Sequence, residues 1–277
     1  MADDNKTSRV VLVTGASGGI GKSIVRKLLS DGWRVYGAAR RVEKMSDIQS
    51  EGAKTLSLDV TDDESMKKAI QALISSEGRI DALVNNAGYG SYGAMEDVPI
   101  SEARHQFEVN VFGLVRLSQL VLPTMREQRS GTIVNISSIG GRIWTPVGGW
   151  YYATKHAVEV LSDAMRVETR PFGIRVVVVQ PGLIKTAWSG IAADHLMEHS
   201  QGSAYRAIIE PMAKALRHPP FYTGSPDVIA NVVSKAVNSP NPRRRYAAPL
   251  HAKVFIFLRW LLPEWMWERV VMSEAVK

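Results

Sequence analysis

Two residues able to exchange protons stand four positions apart near the middle of the chain, Tyr151 and Lys155. On a helix that spacing puts both side chains on one face, where they act on the same small volume. A free phenol, with a pKa near ~10, is a poor base at neutral pH, and a neighbouring positive charge such as a lysine favours its phenolate. Ser138 lies thirteen positions earlier, at the end of an apolar run, and its hydroxyl can hydrogen-bond and steady a substrate oxygen. Each residue alone also has a plain structural explanation: Tyr151 as a packed aromatic, Lys155 as a surface charge, and Asn110 as a helix-kink residue. Tyr152 takes that explanation, since four places on from it stands His156 rather than a lysine.

A second constellation fits a phosphate. Thr14-Gly15-Ala16-Ser17-Gly18-Gly19-Ile20-Gly21 follows a short apolar run and opens an amphipathic stretch. Glycines let such a turn bend sharply and bring backbone N–H groups against a pyrophosphate, and the helix N-terminus adds partial positive charge. Ser17 adds a hydroxyl. After the next apolar run the chain reads Ala38-Ala39-Arg40-Arg41, with no acid to accept a hydrogen bond from a ribose 2′-hydroxyl. An arginine fork suits the oxygens of a 2′-phosphate instead, so NADP(H) is expected over NAD(H). Arg40 is the stronger candidate for that contact and Arg41 the weaker.

These groups can meet only if the elements carrying them converge. Short apolar runs at residues 10–13, 34–38, 55–58, 83–84 (with Ile80 before it), 133–136 and 174–179 alternate with amphipathic stretches at 19–30, 62–76, 101–128 and 150–170. The run at 174–179, Ile-Arg-Val-Val-Val-Val, is almost unbroken, as in a strand covered by helices on both faces. Alternating strand and helix predicts an α/β fold with a doubly wound parallel sheet, a Rossmann fold. Right-handed crossovers then bring every strand's C-terminus to one edge, where the ligand should bind.

The glycine turn, Asn85-Asn86-Ala87-Gly88, Asn110, Ser137-Ser138, Tyr151-Tyr152-Ala153-Thr154-Lys155 and Pro181-Gly182 together resemble the single-domain branch of the short-chain dehydrogenase/reductase family, with its hydroxysteroid and retinol dehydrogenases. The matches run in family order from about Thr14 to Thr186. The resemblance implies an oxidoreductase that moves a hydride between nicotinamide and an alcohol/carbonyl pair. Tyr151 is then the acid/base, Lys155 tunes it and holds ribose hydroxyls, Ser138 positions the substrate oxygen, and Asn110 anchors a water in a proton relay. By the same resemblance Asn86, Ala87 and Gly88 abut the adenosine side of the cofactor, and Asp59 with Val60 contacts the adenine. Pro181, Gly182, Ile184 and Thr186 border the nicotinamide. It also implies a homo-oligomer, with long helices at 101–128 and 150–170 available for a symmetric interface. The substrate is expected to be lipophilic, because Trp144, Trp150, Trp188 and Met197 fall in segments that should border the pocket. Two other functions stay open: reduction of 3-oxoacyl carrier-protein thioesters, and NADP sensing without turnover, which has no need of a Tyr151–Lys155 pair.

The rest of the sequence sets limits. The 277 residues, 45% hydrophobic and 22% charged, are expected to form one globular domain, 1–277. A formal charge of +7 raises nucleic acid as a partner, but no basic–aromatic recognition motif supports it. There is no cysteine, hence no disulfide and no thiolate metal site. The N-terminal residues lack an apolar signal segment, and a cytoplasmic protein is expected. Residues 183–224 show no clear strand and are expected to form a lid, with a helix starting near Ser225-Pro226. His195-Leu196-Met197-Glu198-His199 matches a zinc-protease pattern, but a third ligand and a protease scaffold are lacking, so no metal is assigned. The C-terminal extension, about 250–277, is rich in large apolar side chains, and Pro263 should split it into two short helices. Packing against lid, partner subunit or pocket is favoured there over peripheral membrane contact.

Overall fold

The computed structural model describes residues 8–275. Seven parallel strands form one sheet in the order β3-β2-β1-β4-β5-β6-β7. In chain order these are β1 (Val10–Thr14), β2 (Arg34–Ala39), β3 (Lys54–Ser57), β4 (Ala82–Asn85), β5 (Gly131–Ile136), β6 (Ile174–Pro181) and β7 (Arg245–Ala248). The doubly wound sheet expected from the alternation is present, with the reversal of strand order between β1 and β4.

Side chains alternate across each strand, which divides the core in two. Val11 and Val13 of β1, with Val177 and Val179 of β6, pack on α1 (Gly19–Ser30) through Ile24, Val25 and Leu28, and on α9 (Pro226–Asn238) through Ile229 and Val233. Val10 and Leu12, with Ile133 and Val176, turn to the other face, against Ile70 and Leu73 of α3 (Asp63–Glu77) and Leu117 and Val121 of α5 (Gly113–Glu127). Each fully buried side chain of this size contributes about 1.5–3 kcal/mol, so a one-residue slip of any central strand would be heavily penalised. The strand ends are thereby fixed, and with them the site.

Three features depart from the sequence-based expectation. The single helix expected over 101–128 is interrupted: α4 (Ile100–Phe107) passes through one wide π turn, Glu108–Phe112, before α5 begins. Asn110 sits in that turn, and its side chain leaves the helix to hydrogen-bond a neighbouring loop. Strand β7, half-buried at the sheet edge, was not anticipated. Its four residues, Arg-Tyr-Ala-Ala, follow a Pro-rich stretch and are too few to show alternation. The segment expected as a lid is largely helical, with α7 (Trp188–His199) and α8 (Arg206–Arg217). Gly190 within α7 and Pro211 within α8 hid both helices from the sequence pattern. Packing of Leu196 against Ile209 and Ala213 overrides those propensities. The remaining helices are the short α2 (Ser46–Ser50), α6 (Gly149–Thr169), and the pair α10 (Leu250–Leu261) and α11 (Glu264–Ala275), which Pro263 separates.

Candidate active site

The glycine bend lies where β1 gives way to α1. Gly15 has φ +66°, a conformation that favours glycine. A Cβ on Gly21 would strike the Gly15 carbonyl and the Asn86 amide, so only glycine lets α1 close down on the bend. Thr14 and Asn86 brace the bend from below. Thr14 Oγ1 accepts from the N–H of Asn86 and of Ala87, both at 3.0 Å, and Asn86 Nδ2 donates to the Thr14 carbonyl at 2.9 Å. On the other side, among the described residues, nothing lies within 4 Å of where a Gly18 Cβ would stand, and no side chain caps α1. The helix therefore presents uncapped N–H groups to open space beside the half-buried Ser17, as a pyrophosphate requires. Arg40 and Arg41, directly after β2, are exposed, and neither is held in an ion pair among the described residues. The donor set fits a dinucleotide carrying an additional phosphate.

The other predicted contacts vary in reach. The half-buried Asp59 accepts from the Thr61 amide at 2.9 Å and the Thr61 hydroxyl at 2.8 Å, while Val60 is buried with its carbonyl against Gly113. A Cβ on Gly88 would stand 2.9 Å from Asn110 Oδ1 and 3.8 Å from Lys155 Nζ, which places that strand end beside α6. A Cβ on Gly19 would stand 3.3 Å from Thr186 Cγ2, so the segment after β6 reaches back to the bend. Pro181 is buried, and the N–H of Gly182 donates to the Ala248 carbonyl at 2.9 Å. Ile184 is bridged to Gly224.

Tyr151 and Lys155 share the inward face of α6, and each is 7% exposed. The Lys155 ammonium stands 5.9 Å from the Tyr151 ring centroid and donates to the Ile136 carbonyl at 3.0 Å. Burial pushes the Tyr151 phenol well above its usual range, and the Ser138 hydroxyl works in the opposite direction. Ser138 Oγ in turn accepts from the Gly140 N–H at 3.0 Å, which fixes the turn beyond β5. Burial lowers Lys155 to about 8, while the Glu159 carboxylate one helical turn on works to hold it up. Asn110 Oδ1 accepts from the Tyr89 N–H at 3.0 Å, and its Nδ2 donates to the Tyr89 carbonyl at 2.9 Å and to Thr154 Oγ1 at 3.1 Å. Thr154 donates to the Tyr151 carbonyl at 2.7 Å. Tyr152 is tied to Thr145 by a 2.7 Å hydroxyl pair.

The depressed pKa of Lys155 has a measurable consequence for stability. Between about 8 and the ordinary 10.5 the unfolded chain holds a proton that the folded chain has lost, so this residue makes stability rise with pH. The window closes near 10.0, above which Tyr151, held protonated by burial, has the opposite sign. Denaturant titrations from pH 8 upward should therefore show a positive slope that is reduced in Lys155→Met; equal slopes in both proteins would refute it.

Four side chains were expected to line a pocket. Trp188 does meet Tyr151, with ring centroids 5.2 Å apart, and it lies directly on Gly90. Trp144 instead packs beneath the C-terminal helices with Ile143 and Trp267, Trp150 faces Phe107, and Met197 is exposed on α7. Sequence reasoning missed Tyr92, 5.7 Å from Tyr151, which no spacing rule would have singled out. It also missed Glu159, whose i+4 offset from Lys155 was a legible signal. Glu159 accepts from Gln180 at 2.9 Å, Arg245 at 2.8 Å and Arg142 at 3.1 Å. His195 and His199 approach Ser91 and the Tyr92 carbonyl, and among the described residues no group of three or more possible ligands is placed to hold a metal.

A parallel sheet with an uncapped glycine bend at its carboxyl edge, and beyond it a buried phenol and ammonium with a half-buried serine, is the architecture of a dinucleotide-binding protein. Residues 9–195 match the family model for short chain dehydrogenases. The chain is similar to a 3-ketodihydrosphingosine reductase of Bacteroides thetaiotaomicron, 42% identical over 65% of this chain and 66% of that one. It is also similar to an NADPH-dependent 3-dehydrocapnine reductase of Ornithobacterium rhinotracheale, 32% identical over 97% and 98% of the two chains. The crystal structure of a short-chain dehydrogenase from Streptomyces avermitilis superposes with a TM-score of 0.81 at 34% identity, covering 97% and 99%. The chain belongs to the short-chain dehydrogenase/reductase family and is an oxidoreductase.

Proposed function

We propose that this oxidoreductase reduces a lipophilic ketone to an alcohol with NADPH. The observation that carries it is the buried Tyr151 hydroxyl beside Ser138, on the same face of α6 as Lys155 and packed against the rings of Trp188 and Tyr92. When bound, NADPH supplies the hydride. Ser138 Oγ donates to the substrate oxygen and holds it against the phenol. Burial keeps Tyr151 protonated at neutral pH, so the group is loaded to deliver its proton to the oxygen as charge develops there. Lys155, still cationic below about 8, offsets the charge left on the phenol. Both amide hydrogens of Asn110 are used by Tyr89 and Thr154, so a relay water would be held through its main chain in the π turn.

Apolar walls favour apolar ligands. A relative named for a 3-keto substrate and another named as NADPH-dependent support the ketone and the cofactor. The exposed Arg40, in no ion pair among the described residues, supports the 2′-phosphate, and Arg40→Asp should lower the ratio of kcat/KM with NADPH to that with NADH by roughly tenfold or more, since a charge-assisted contact is replaced by repulsion. An unchanged ratio would remove Arg40 from the cofactor site. The broader test is an NADPH-oxidation screen across steroid, retinoid and long-chain aliphatic ketones and 3-oxoacyl thioesters. Fastest turnover is expected on a lipophilic ketone. Turnover confined to thioesters would make the chain a thioester reductase, and NADPH binding with no turnover on any of these would favour a sensor.

A further inference from the structure

Helix α10 is apolar on both sides. Its inner side packs through Phe255 on the cluster of Ile143, Trp267 and Val271. Its outer side, at the i, i+3/i+4, i+7 spacing of one helix face, carries Leu250, Lys253, Val254, Phe257, Trp260 and Leu261, all exposed. Leu250 is 73% exposed, Phe257 55% and Trp260 78%. A surface helix ordinarily turns polar residues to water; this one turns five apolar side chains and a single lysine. The patch continues onto α11, where Trp265 and Met266 are exposed, and onto the loop before α9, where Phe221 is 100% exposed. Tyr222 links that loop to α10 by a tilted contact with the His251 ring, with centroids 5.3 Å apart, and a groove of about 380 Å³ runs between them. A contiguous apolar surface of this kind marks an interaction site.

We infer that this face docks onto an anionic lipid bilayer. Charge decides between the possible occupants. Lys253 stands within the apolar face, Arg269 lies 5.0 Å over the Trp265 ring, and Lys185 is exposed on the segment paired with Gly224. None of the three has a carboxylate partner among the described residues, whereas Glu264 is paired with Arg259 at 2.6 Å; Glu268 is a further exposed acid on the same helix. A second copy meeting this face across a two-fold axis would bring an equally basic patch against it and supply no excess of anions. A bilayer satisfies both demands: aliphatic and phenyl groups enter the acyl boundary, tryptophans lie at headgroup depth, and lysine and arginine meet phosphates. No helix among the described residues is long and apolar enough to cross a membrane, so the contact is interfacial. The inference is independent of the substrate, because binding is read without turnover.

The test is flotation of the full chain with vesicles of phosphatidylcholine alone and of equimolar phosphatidylcholine and phosphatidylglycerol. The unaltered protein should bind the mixed vesicles at least about tenfold more strongly than the neutral ones. Phe257→Glu with Trp260→Glu should lower partitioning onto mixed vesicles by more than about tenfold, and Phe221→Ser, at a fully exposed position where folding is not at stake, by several-fold. Lys253→Glu should cost at least about fivefold on the anionic vesicles and little on the neutral ones. Failure of the unaltered chain to float with mixed vesicles, or equal flotation by all the variants, overturns the inference. So does light scattering that shows the double variant dissociating an oligomer whose parent does not float.

Discussion

Tyr151→Phe is expected to lower kcat/KM for ketone reduction by about a hundredfold to ten-thousandfold while NADPH binding is retained, because a positioned acid is worth that much in the transition state and the ring itself is kept. The phenyl ring preserves the contacts of Tyr151 with Tyr92 and Trp188, so the aromatic packing is kept and only the proton donor is lost. Stopped-flow hydride transfer and NADPH fluorescence titration measure the two halves separately. Full turnover by the variant would remove the phenol from the chemistry and, with it, the proposed mechanism. Loss of NADPH binding together with activity would assign Tyr151 to cofactor retention instead.

Glu159→Leu should destabilise the protein by about 3–5 kcal/mol, the cost of stripping one partner from a buried charge network. The Glu159 carboxylate is 3% exposed and joins Gln180 of β6, Arg245 of β7 and Arg142 of the turn after Ser138. Arg245 also reaches Asp163 at 2.5 Å. Leucine would leave the Gln180 amide and the Arg142 guanidinium without this acceptor and Arg245 with Asp163 alone, and urea unfolding should show the loss in its midpoint. Glu159→Gln separates charge from shape. It keeps a hydrogen-bonding side chain but removes the negative charge that supports the Lys155 ammonium, so Lys155 falls further below about 8. The alkaline limb of the kcat/KM profile should then move to lower pH. An unmoved limb would confine Glu159 to holding the fold together.

Legibility followed the range over which each signal acts. The glycine bend and the Tyr151–Lys155 spacing are local patterns, and the structure brings their residues to the same sheet edge. The six strands read from apolar runs are present, most plainly where β-branched residues are buried on both faces, as in Ile174–Pro181, and least so at the half-exposed edge strand β3. What stayed hidden depends on contacts distant in sequence. Tyr92 faces Tyr151 across 59 positions, through ring packing that has no period. The π turn at Asn110 arises because an amide reaches back to the Tyr89 backbone, which helical periodicity alone does not reveal. Trp144 was expected in the pocket and lies under the C-terminal helices, since an aromatic residue fits either place and composition does not choose. Of the arginines after β2 the sequence gives chemistry but no direction, and their exposure without ion pairs is information only the fold supplies.

Thr186 leans on Gly19 at one end of a three-residue stretch, and Trp188 covers Tyr151 at the other. With only Ala187 between them, the wall of the glycine bend and the indole over the phenol share one short run of backbone, so a substitution that displaces either residue should be felt at both ends of the site.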